Sequence, residues 1–112
     1  MVIEGVDFDE VTLQAVEAVR LVVTDGWDEL ADIVENIGQS LSSDIAFVTK
    51  KKKSGEFDEL DAKVFMEDQK IVARMRLRSV AIVTLKIAEE IWNAIANVFN
   101  AAINRAIGWT IL

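Results

Sequence analysis

The sequence predicts an all-α fold: two short N-terminal helices followed by a long C-terminal helical region, continuous or broken, that packs in an oligomer. Three observations carry this. Proline is absent and there are only five glycines, so the main breakers of regular structure are scarce. Apolar residues recur at three- and four-residue steps along most of the chain. The stretch Lys86 to Leu112 is apolar on most of its circumference, which demands protein or lipid around it.

Residues 1–6 read as a short extended arm. Asp7 then suits a helix cap, with Glu10 three residues later and Val6 and Val11 placed as a hydrophobic staple. The first helix is expected over about Phe8–Val23, with Phe8, Val11, Ala15, Val19 and Val22 on one face. Thr24-Asp25-Gly26 reads as a break and a new start. A second helix is expected over Trp27–Ile37, where Trp27, Leu30, Ala31, Val34 and Ile37 face one way and Asp28, Glu29, Asp32 and Glu35 the other. Gly38 suits the residue just past a helix end. Residues 1–38 thus form an acidic helical hairpin, and 39–55 are expected as a loop, with Ile45, Phe47 and Val48 as a short strand or one helical turn.

From Glu56 the acids Glu56, Asp58, Glu59 and Asp61 suit a helix N-terminus, and Phe57, Leu60, Val64 and Ile71 supply an apolar line. An unbroken helix over 56–108 would be about 80 Å long at 1.5 Å per residue, far beyond a domain of this size. It must break or project into an assembly. The break is expected near Arg74-Met75-Arg76-Leu77-Arg78, where the alternation has period two. Residues 79–85 are rich in β-branched side chains, so an α+β fold with a strand near 72–85 is the alternative. The whole of 1–112 is read as one helical domain.

The C-terminal stretch carries Asn93, Asn97, Asn100 and Asn104 at steps of four, three and four, within a stripe about 60° wide. That stripe suits a face turned to water, a polar seam fixing register in an oligomer, or a lumen-facing line with lipid outside. The candidate oligomer interface is Ile91, Trp92, Ile95, Val98, Phe99, Ala102, Ile103, Ala106 and Trp109. Small residues such as Ala94, Ala101 and Gly108 allow helices to approach closely.

Charge is unevenly spread. The chain totals −7, with residues 1–49 at −10 and residues 50–112 at +3. This favours packing of the two halves, within one chain or between copies, and disfavours nucleic acid as a partner. Lys50, Lys51, Lys52, Lys53, Arg74, Arg76 and Arg78 are candidates for contact with an anionic surface, or for solvated and ion-paired positions. The acidic start lacks the basic and apolar regions of a secretory signal. Membrane association through 79–112 is a further expectation; otherwise the chain is expected in the cytoplasm or within an assembly.

Histidine and cysteine are absent, which removes the commonest general base, metal ligand and thiolate nucleophile. No phosphate loop, dinucleotide fingerprint, calcium loop or nucleophile elbow occurs. No catalytic, cofactor or metal residues are expected. The expected function is therefore a non-enzymatic structural subunit that self-associates and meets other proteins of a larger assembly, such as a virion, an injection machine or a filament. The alternatives are a membrane-active helical oligomer and a small acidic inhibitor acting through Asp28, Asp32 and Glu35.

Overall fold

The computed structural model describes all 112 residues. In chain order the elements are β1 (Val2–Ile3), β2 (Val6–Asp7), α1 (Phe8–Val22), α2 (Trp27–Lys53), α3 (Glu59–Arg78) and α4 (Leu85–Ile107). The first six residues make a hairpin rather than an open arm. Ile3 pairs with Val6, and the two-residue turn between them holds Glu4 at φ 49° and Gly5 at φ 79°. Positive φ at both turn positions matches the twist of the paired strands. The hairpin seats Ile3 in the core, and Asp7 caps α1 by accepting from the Asp9 N–H at 3.0 Å.

Each helix packs on its chain neighbours, and α1 closes the ring on α4. The short loops make these neighbours antiparallel, as in a four-helix bundle. The body measures 43 × 24 × 16 Å. Its core is built on α4: Trp92, Phe99, Ile91, Ile95 and Ile103 are all nearly inaccessible. Phe8 of α1 meets Phe99 with ring centroids 6.2 Å apart.

Helix α2 is longer than expected. Residues 39–53 continue the helix, so the second helix is not short and 39–55 is not a loop. The apolar steps Leu30, Val34, Ile37, Leu41, Ile45 and Val48 run unbroken through Gly38, and all six are buried. That burial outweighs the weak helix propensity of glycine and serine. Gly38 faces Thr12 of α1 closely: a Cβ there would meet the Thr12 Cγ2 at 2.8 Å. Thr12 and Ser42 are buried beside it, their hydroxyls 3.4 Å apart. Each also returns a hydrogen bond to its own helix, at Phe8 O and Gly38 O.

Helix α3 begins with a capping box. Asp58 accepts from the Asp61 N–H at 2.8 Å and Asp61 accepts from the Asp58 N–H at 3.0 Å. The long C-terminal region does break, but at residues 79–84 rather than at 74–78, and no strand forms over 72–85. Thr84 supplies the new start, its hydroxyl accepting from the Ile87 N–H at 3.2 Å. The β-branched Val80, Ile82 and Val83 lose rotamer freedom in a helix, and Val83 is buried in the loop instead. The faces of α3 are also reversed from expectation. Ala62, Met66, Ala73 and Leu77 point inward, while Leu60, Val64 and Ile71 stand outside.

Replacing Gly38 by Ala forces a methyl against Thr12. The expected result is a net loss of about 1 kcal/mol, an overpacking cost partly offset by better helix propensity. Thr12→Ser removes the opposing methyl and is expected to cancel that loss in the double variant. Urea unfolding of the two single variants and the pair measures the coupling.

Candidate interaction sites

The residues expected to form an oligomer interface lie mostly inside the chain's own core. Ile91, Trp92, Ile95, Phe99, Ala102 and Ile103 are buried, and Val98, Ala106 and Trp109 are half-buried against them. The face that was expected to seek a second subunit is covered by α1, α3 and the chain's own tail.

The Asn stripe divides into two halves. Asn100 grips the last residue: its side-chain N–H donates to the Leu112 main-chain oxygen at 3.0 Å, and its oxygen accepts from the Leu112 N–H at 3.0 Å. Asn104 lies 3.5 Å from the Thr110 hydroxyl. The tail after Gly108 thus folds back along α4, with Ile111 buried. Asn93 and Asn97, further up the same stripe, are exposed and make no hydrogen bond.

The basic run at the end of α2 is largely engaged within the chain. Lys51 pairs with Glu56 at 2.8 Å, and Lys53 pairs with Glu4. Lys52 donates to the Ile107 carbonyl at the C-terminus of α4 and lies 4.9 Å above the Trp109 ring. Only Lys50 of the four has no such partner and is exposed. The bond to Glu56 carries the largest effect on that carboxyl, holding it below the ordinary carboxylate range, with Ser54 adding to it.

The arginines sit elsewhere. Arg74 pairs with Glu89 of α4. Arg76 donates to the Ser40 hydroxyl at 2.9 Å. Ser40 is twelve residues up α2 from Lys52, about 18 Å along the helix, so lysines and arginines form no single basic patch. Arg78 is exposed. Asp44 lies near Arg76, with one carboxylate oxygen buried and unpartnered. Burial raises its pKa, against the opposing pull of Arg76.

Two surface features escaped the pattern of the sequence. On α3, Leu60, Val64, Ile71 and Met75 are 68%, 63%, 51% and 67% exposed. At 100° per residue they form one stripe about 60° wide, opposite the buried face. The steps of four, seven and four were visible, but so was the more ordinary reading of such a line as core. At the other side of the bundle a cleft follows the α1–α4 seam. Its upper part, about 440 Å³, lies between the 23–26 and 79–84 loops, with Val22, Leu30, Ile82, Val83 and Ile87 as walls and Asp25 and Glu90 at its edge. Its lower part, about 450 Å³, is lined by Ala18, Val22, Glu90, Asn93, Ala94, Asn97 and Val98. The loops touch closely there. A Cβ on Gly26 would fall 1.9 Å from the mobile end of the Ile82 side chain, and its φ of +75° is one that favours glycine.

Comparison with protein-family models, with curated proteins and with solved structures returns no match. No three acidic side chains converge as a metal cage would require.

Two measurements check these assignments. Asn100→Ala is expected to release the tail, with faster amide exchange at Leu112 and a loss of about 1–3 kcal/mol for the two bonds; Asn93→Ala is expected to change neither. The folded chain holds the Asp44 proton more tightly than the unfolded chain does. Stability from this group therefore falls as pH rises from the ordinary carboxylate range through the raised value. Asp44→Asn is expected to remove that component, raising the urea midpoint at pH 7 relative to the one at pH 4.

Proposed function

We propose that the chain is a non-enzymatic structural subunit that self-associates within a larger assembly, and that the contact is the outer face of α3 rather than the C-terminal helix. The observation that carries this reading is the exposed apolar stripe Leu60, Val64, Ile71 and Met75 on a helix whose opposite face is already buried. Leu85, 70% exposed, extends it across a shallow cleft shared with Ile71, Met75 and Ala88. Contiguous apolar surface of this kind marks contact sites on otherwise polar proteins.

The charges beside the stripe favour a second copy in parallel. Lys63 and Lys70 lie along one edge, and Asp61 and Asp68 along the other. Parallel two-fold pairing sets each lysine edge against the partner's aspartate edge, whereas antiparallel pairing sets like charges together. Glu67 lies halfway along the stripe at its lysine-side edge, a charged border that limits affinity and helps set register.

A second reading, capture of one basic partner by the acidic face of α2, draws on Asp28 and Asp32, which are exposed and outside every ion pair, and on the nearby Glu35. Insertion of residues 79–112 into a bilayer gains no support, since no helix is long and apolar enough to cross a membrane.

The test is mass by light scattering over a concentration series. The native chain is expected to associate, Ile71→Asp to remain a monomer, and Glu67→Leu to associate about tenfold more tightly. A native chain and a Glu67→Leu variant that both stay monomeric at several hundred micromolar would overturn the α3 contact.

A further inference from the structure

We infer that the α1–α4 cleft is a docking site for an extended segment of a partner protein, apolar on alternate residues and carrying a lysine or arginine at the end that reaches Asp25 and Glu90. The chain shows the required mode of binding on itself. Its tail lies extended along α4, and the Asn100 amide both donates to and accepts from the backbone of Leu112. Two residues earlier on the tail, and four residues further along the helix, Asn104 approaches Thr110. Four residues of helix thus answer to two residues of extended chain. The reason is dimensional: four helical residues rise about 6 Å, and two extended residues span about 6.6 Å.

Asn97 and Asn93 repeat this spacing further up α4, on the same stripe, and their amides are free. Beside them the floor is small or apolar, with Ala18, Ala94 and Val98. The lower and upper parts of the cleft share Val22 and Glu90, so one path runs from Asn97 to the walls formed by Ile82 and Val83. A five-residue extended segment spans about 16 Å, enough to run from Asn97 past Glu90, which lies about 10 Å up the helix.

The charge of the occupant follows from the rim. Asp25 and Glu90 take part in no ion pair or hydrogen bond, and no lysine or arginine lines either part of the cleft. A basic end satisfies both carboxylates, and an acidic end is repelled. The site is independent of α3, which packs on α2 and α4 on the far side of the ring from α1.

The probe is the acetylated, amidated peptide valine-threonine-isoleucine-threonine-lysine, titrated to low millimolar concentration against the isotope-labelled full chain. Saturable amide shifts are expected at Val22, Ile82, Asn93 and Asn97. Changing the peptide's lysine to glutamate is expected to weaken binding about tenfold, and Asn97→Ala about fivefold. Glu90→Gln is expected to reduce the preference for lysine over glutamate. These side chains are exposed, so the fold is retained, and unchanged circular dichroism verifies it. Three results would each overturn the proposal: no saturable shift, equal binding of the two peptides, or shifts centred on Asn100 and Leu112, which mean only that the peptide displaces the tail.

Discussion

Helix α4 presents apolar side chains around so much of its surface that it can exist only when enclosed. Its nine buried residues, from Ala88 to Ile107, need cover on several sides. Helix α1 covers one side, α3 another, and the tail through Ile111 a third, while α2 spans α1 and α3 and completes the ring. The part of the asparagine stripe left uncovered is the half carrying Asn93 and Asn97. A helix that looked as if it needed other subunits is satisfied by its own chain, because α2 is long enough to hold α1 and α3 in place around it.

The polar contacts act at the ends of this enclosure. Lys52 reaches from the end of α2 to the last carbonyl of α4, where a cation meets the negative end of the helix dipole. Lys53 ties the same corner to Glu4 of the N-terminal hairpin. Arg74 joins α3 to α4 through Glu89. These pairs are partly exposed and individually weak, so the bundle owes its cohesion to the core and its alignment at the ends to the ions.

Local signals were legible and non-local ones were not. Asp7 as a cap, the Phe8–Val19 face of α1, the start at Trp27 and the apolar face of α4 all depend on residues within a turn or two of each other. The length of α2 turned on a choice at Gly38, where a glycine followed by serines resembles a helix end. The periodicity beyond it, Leu41, Ile45 and Val48, was the better guide, because burial of three large side chains exceeds about 1 kcal/mol of glycine propensity. On α3 the inward face includes the small Ala62 and Ala73, so the larger Leu60 and Ile71 drew attention to the wrong side. The partition of the Asn stripe was invisible for another reason. What separates Asn100 from Asn97 is a tail residue twelve positions away, which no window of helical periodicity contains.

The ring closes between its first helix and its last. Phe8 and Phe99 stand 91 positions apart in the chain, so their contact closes a long loop before it gains anything. During vectorial synthesis α1, α2 and α3 emerge first, and the apolar faces of α1 and α3 then lack their cover. Only arrival of the final quarter of the chain supplies it. Most of the cleft wall comes from residues 82–98, so a chain that stops between α3 and α4 lacks the cleft and is a sticky three-helix intermediate. A cell making this protein must therefore shield or clear such nascent fragments.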